Sequence, residues 1–136
     1  MPRKKLTDIQ LVVIIANLLG VIQGRKRFQK IIFLLKHFYN IPLRYDFMPY
    51  LYGPYCPELQ NHIDILVSEG ILDVGRNNGL YVYEITQLGQ GAGKASEKNL
   101  TSIQKRKIKV SLKELSSKGT NDLVKHSKRL MKKLRV

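Results

Sequence analysis

This 136-residue chain has no tryptophan, a single cysteine and few acidic residues for its basic ones. The lone Cys56 excludes an internal disulfide and any cysteine-cluster metal site, as expected in a reducing compartment. The three histidines, His37, His62 and His126, fall on three separate predicted helices. No spacing links a nucleophile, a base and an orienting group, so no catalytic residue, metal or other cofactor is expected. Cys56 with His62 does not make a convincing nucleophilic pair; a capping or buried thiol is the ordinary use of such a cysteine. A long hydrophobic run is also missing. Ile9–Ile22 is the longest, and Gln10, Asn17 and Gly20 interrupt it short of the roughly 18–20 residues that cross a bilayer. No small-residue cleavage site follows it, so it reads as a helix of a cytoplasmic protein.

Only ten acids face 24 Lys/Arg, for a formal charge of +14, and the imbalance is uneven. From Asn99 to Val136, twelve Lys/Arg stand against Glu114 and Asp122, a net of +10. Residues 1–98 carry twelve against eight, a net of +4, and within them Asn40–Gly93 is net −4. Such a field favours a polyanionic partner: nucleic acid first, acidic membrane second, acidic protein third.

The 43% apolar content is enough for one core. Thr7 or Asp8 can cap a first helix to about Leu19, apolar nearly all round and therefore central or shared with a second copy. A second helix, about Gly24 to Tyr39, gathers Phe28, Ile31, Ile32, Leu35, Phe38 and Tyr39 in one arc, with Lys26, Lys30 and His37 opposite. An irregular Tyr- and Pro-rich stretch follows. Pro57 suits the first position of a third helix, on which Leu59, Ile63, Leu66 and Val67 make the apolar stripe. Ile71–Val74 and Leu80–Ile85 then read as a hairpin around Arg76-Asn77-Asn78-Gly79. Gly89, Gly91 and Gly93 read as a hinge; the stretch is no phosphate loop, because Leu88 and Ala95 stand where Gly and Ser/Thr are needed. Leu100–Ser117 suits either strand or helix, and Asp122–Arg135 is a basic amphipathic helix. The expectation is a mainly helical α+β fold of winged helix-turn-helix type with a two-stranded wing over 1–88, a hinge over 89–98 and a basic helical segment over 99–136.

The stretches FQKIIFLLKHFYNIPL and FMPYLYGPYCPEL, then SEGIL and YEITQLG, resemble the YwgA-like proteins of bacteria and archaea, small relatives of the Panacea antitoxin domain. The likeness covers about Lys26–Gly89. It implies a winged-helix-like fold without catalysis, and roles from regulator to protein-binding antitoxin. Cys56 departs from the Ser often placed before the third helix, and the closing segment is unusually basic.

These readings converge on a DNA-binding protein, a transcriptional regulator or chromatin-associated factor, expected as a homodimer. Phosphate contacts are expected from Lys105, Arg106, Lys107, Lys109, Lys113, Lys125, Lys128, Arg129, Lys132 and Lys133. Arg25, Lys26, Arg27 and Lys30 are expected to form a secondary patch, with Arg76 at the wing tip near a minor groove. Gln60 and Asn61 are the candidates for adenine edges, although Asp64 and Glu69 beside them repel phosphate. No aromatic interleaves the C-terminal cations, which argues against single-strand stacking there. The alternative is a protein-binding adaptor using the third helix with Tyr50, Tyr52 and Tyr55. A membrane partner ranks last, because the closing helix has a core to dock on.

Overall fold

The computed structural model describes residues 5–134. Its order is α1 (Asp8–Leu19), β1 (Val21–Gln23), α2 (Arg25–His37), α3 (Pro57–Ser68), β2 (Leu72–Asn77), β3 (Leu80–Ile85), α4 (Gln87–Glu97), α5 (Ser102–Ser116) and α6 (Thr120–Leu134). The fold is α+β and mainly helical, with an antiparallel sheet ordered β1-β3-β2. The sheet has three strands rather than two. β1 is three residues long and pairs Ile22 with Tyr83, some sixty positions away.

Local chemistry starts α1 and α3 where the sequence predicts, and caps α4 and α5 as well. Thr7 and Gln10 form a reciprocal capping box on α1. Pro57 opens α3, and Cys56 caps it by accepting the Leu59 N–H on sulfur at 3.4 Å. Thr86 caps α4, and Thr101 with Gln104 caps α5, which is helix and not strand. The hairpin turn is tighter than expected: Asn78 and Gly79 both have positive φ, 51° and 80°, the two-residue turn that suits strand twist.

α1 and α2 form the centre. Leu11–Ala16 and Phe28–Leu35 are unbroken buried runs, not stripes. α4 and α5 cover α1, while α6, β1 and β3 pack on α2. The apolar surface that motivates a homodimer is therefore covered within the chain. Phe38, expected on the core arc, lies just past the end of α2, half exposed, with its ring 4.6 Å from that of His126.

The hinge expected over 89–98 is instead α4, packed tightly on α1. Two of its glycines are there for closeness, not flexibility. A Cβ on Gly89 would overlap the Ile71 carbonyl oxygen and Ile85 Cδ1, and one on Gly93 would lie 2.8 Å from Asn17 Cβ. Each glycine weakens a helix by about 1 kcal/mol, which close packing offsets. The basic segment is likewise no appendage, since Leu100, Ile108, Leu112, Leu115 and Leu123 belong to the same apolar cluster as α1 and α2. Arg135 lies outside the described residues. Among the described residues, no helix is long and apolar enough to cross a membrane.

Candidate nucleic-acid interface

The four cations at the start of α2 do not form a patch. Arg25 lays its guanidinium 3.9 Å from the centre of the Tyr81 ring and donates through Nε to the Tyr83 hydroxyl, which raises its pKa. Lys26 Nζ sits 4.0 Å from the Tyr52 ring centre. Arg27 is half-buried and donates to the Ser116 carbonyl and the Thr120 hydroxyl, tying α2 to the turn between α5 and α6. Lys30 is only 2% exposed, and its ammonium donates to the Pro54 carbonyl at 3.0 Å. The expected phosphate contact by Lys30 is thus corrected, and Arg27 is a structural tie. A helical wheel assigns Lys30 to the solvent face because it cannot show the loop that covers that face.

That loop, residues 40–56, is held by polar side chains of α2 that grip its backbone. Gln29 is buried and bonds Cys56 twice, accepting its N–H at 2.8 Å and donating to its carbonyl at 3.0 Å. Lys30 holds Pro54, and Lys36 holds the Tyr45 carbonyl. Tyr45 is fully buried, with its hydroxyl 2.7 Å from His62 Nδ1; burial pushes its pKa well up. Gln29 and Lys30 on one side and Cys56 and Pro54 on the other, far apart in sequence, are therefore two halves of one contact.

Beyond these anchors the loop turns outward. Tyr50, Leu51 and Tyr52 are 59%, 75% and 51% exposed. Gly53, at φ 98°, is where the loop meets α6: a Cβ there would touch Lys128 Cγ and Lys30 Cε, both at 3.4 Å. A cavity of about 340 Å³ opens beside this contact, lined by Tyr50, Leu51, Lys128, Met131 and Lys132 with Pro49, Gly53 and Pro54. Lys26, Lys30 and Lys128 converge closely enough that burial and the two neighbouring charges lower Lys30 to about 8. Sequence reasoning missed this meeting of Tyr50 with Lys128 and Lys132, because more than seventy residues separate them.

The remaining cations stand out from the core. On α5, Arg106, Lys107, Lys109 and Lys113 are exposed and Lys105 is half-buried; on α6, Lys125, Lys128, Arg129, Lys132 and Lys133 are exposed. Among the described residues the ion pairs are Arg44–Asp8 and His62–Glu58, so none of these ten has a carboxylate within 4 Å. Glu114, the one acid on α5, accepts from the Tyr39 hydroxyl at 2.6 Å, and burial with that bond pushes Tyr39 up to about 12.

α3 looks different. Gln60 is 9% exposed and donates to Asp64 at 3.0 Å, so its expected role at a base edge is corrected; Asn61 remains exposed. Arg76 lies within β2, not in the turn, and its guanidinium rests 4.6 Å from the Tyr81 ring centre while bonding that hydroxyl. Arg25, Asp64, Val67 and Tyr81 share a shallow hollow between α3 and the hairpin. A larger cleft, about 520 Å³, lies between β1 and the turn before α6, but its single charged lining residue is Arg27, already engaged. The histidines lie apart, His37 against Phe33 and Phe47, His62 on Tyr45, and His126 on Phe38. Comparison of the chain with protein-family models, with curated proteins and with solved structures gave no match.

Proposed function

We propose that this protein is a winged-helix-type, non-enzymatic DNA-binding protein, a transcriptional regulator or chromatin-associated factor. It holds duplex DNA chiefly by phosphate contacts from α5 and α6. One observation carries the reading: ten Lys/Arg on these helices point outward or lie at the surface and, among the described residues, have no carboxylate partner. Cations so placed lose little on meeting phosphates and release counterions when they do. The order α1-β1-α2-α3-β2-β3 supports the winged-helix assignment. α3 carries no Lys or Arg, so phosphate contact by that helix is not part of the proposal.

Deleting residues 99–136 is a poor test, because it strips five apolar residues from the core. The better experiment keeps the full chain and replaces Lys125, Lys128, Lys132 and Lys133 with Gln. If about five phosphates are engaged, log affinity for a labelled duplex falls against log salt with a slope of roughly −4.5. The fourfold variant should flatten that slope and weaken binding at 0.15 M salt by at least tenfold. An unchanged slope would remove α6 from the interface.

A second reading, a protein-binding adaptor, draws on exposed Leu51, Tyr50 and Tyr52 in the loop and Ile65 on acidic α3. Purification separates the two readings: nucleic acid that copurifies favours the first, one stoichiometric polypeptide the second.

A further inference from the structure

Resting on that polyanion-binding reading, we propose that the loop of residues 48–55 and the facing side of α6 form a site for unpaired nucleic acid that shares Lys128 and Lys132 with the duplex-binding surface. Tyr50 and Tyr52 stack bases there, and Lys26, Lys128 and Lys132 hold backbone phosphates. Read alone, the C-terminal helix argues against this, since no aromatic residue lies among its cations. The fold supplies the aromatics from elsewhere. Gly53 brings the loop so near α6 that an added Cβ would touch Lys128 Cγ at 3.4 Å, and the cavity beside it is lined by Tyr50 from the loop and by Lys128 and Lys132 from α6.

Charge specifies an anion. Lys26, Lys30 and Lys128 approach from two helices, and among the described residues none is ion-paired. Lys30 is buried with the Pro54 carbonyl as its acceptor. Cations gathered in this way repel one another, and a phosphate laid across Lys26, Lys128 and Lys132 relieves that repulsion.

The rings specify what accompanies the phosphate. Each tyrosine has one neighbour that fixes its orientation: Tyr50 lies 5.4 Å from Tyr55 between ring centres, and Tyr52 has the Lys26 ammonium against it. Both remain more than half exposed. Oriented, exposed rings suit the faces of splayed bases, which single strands offer and an intact duplex keeps inside its own stack. An acidic peptide would satisfy the lysines equally well but would leave the ring faces without a matching surface.

The experiment uses the full-length protein with labelled oligo(dT) and, separately, a labelled duplex at one moderate salt concentration. The wild type is compared with a Tyr50→Leu/Tyr52→Leu variant whose melting curve confirms the fold. Removing one stacking ring weakens binding by about 5- to 150-fold. The double variant should therefore lose at least tenfold for oligo(dT) and less than twofold for the duplex. The chain has seven tyrosines and no tryptophan, so oligo(dT) should also quench its intrinsic emission, and the variant should lose much of that quenching.

Equal losses for both nucleic acids, or undiminished single-strand binding by the variant, would overturn the proposal. Duplex binding without single-strand binding would overturn it alone and leave the function above standing. Binding of neither would remove both. A stoichiometric acidic polypeptide, held by the wild type and lost by the tyrosine variant while oligo(dT) is ignored, would overturn it in favour of a protein partner.

Discussion

Replacing Lys30 with Met makes the buried ammonium measurable. In the folded chain, burial first, then Lys26 and Lys128, bring Lys30 from the ordinary 10.5 down to about 8. Below pH 8 the side chain is protonated in both states, and the fold carries the full penalty of a buried charge. Between about pH 8 and 10.5 the folded state has released its proton while the unfolded chain still holds one. Stability contributed at this position therefore rises with pH through that window and levels off above it. The full displacement corresponds to roughly 3 kcal/mol; residual hydration reduces this to about 1–3 kcal/mol. Methionine has a similar length and no proton to lose. At pH 7 its relief of the charge is opposed by about 1–3 kcal/mol for leaving the Pro54 carbonyl without a donor, so the two proteins should differ little. Urea unfolding of both at pH 7.5, 8.5 and 10 gives the difference directly, because the other titratable groups are common to both proteins. The wild type should gain on the variant by about 1–3 kcal/mol from pH 7.5 to 10. Parallel curves would refute the reasoning and place Lys30 in water.

Two further outcomes follow from packing. Gly89→Ala and Gly93→Ala should destabilise by about 1–3 kcal/mol through overpacking, whereas Gly91→Ala, with nothing within 4 Å, should stabilise by up to about 1 kcal/mol; thermal melting of the three variants checks the contrast. Gln29→Leu should cost about 1–3 kcal/mol by leaving the Cys56 N–H unpaired, while the Cys56 carbonyl keeps the Gln60 N–H, and limited proteolysis should then cut first within residues 48–55.

Elements written in local chemistry were legible in the sequence. Thr7, Pro57 and the Asn78-Gly79 turn act within a few residues of themselves, so their positions mark helix starts and the hairpin. β1 was not legible, because three residues have no measurable period and become a strand only by pairing with β3. α4 was misread because glycine serves both flexibility and close approach, and only the neighbours, Ile71 and Asn17, distinguish the two. The candidate interface was half legible: the α5 and α6 cations could be read from charge alone. Burial of Lys30 and Gln60, and the meeting of Tyr50 with Lys128, depend on contacts between distant segments that periodicity does not encode.

The grip of α2 on loop 40–56 separates two kinds of selection on one segment. Gln29, Lys30 and Lys36 all hold that loop by its main chain, at Cys56, Pro54 and Tyr45. Every residue type presents the same carbonyl, so the path of the loop does not depend on the outward side chains at positions 50–52. Those three positions can change identity while the scaffold stays as it is, leaving ligand preference free to drift among descendants of this chain without a compensating change in the core.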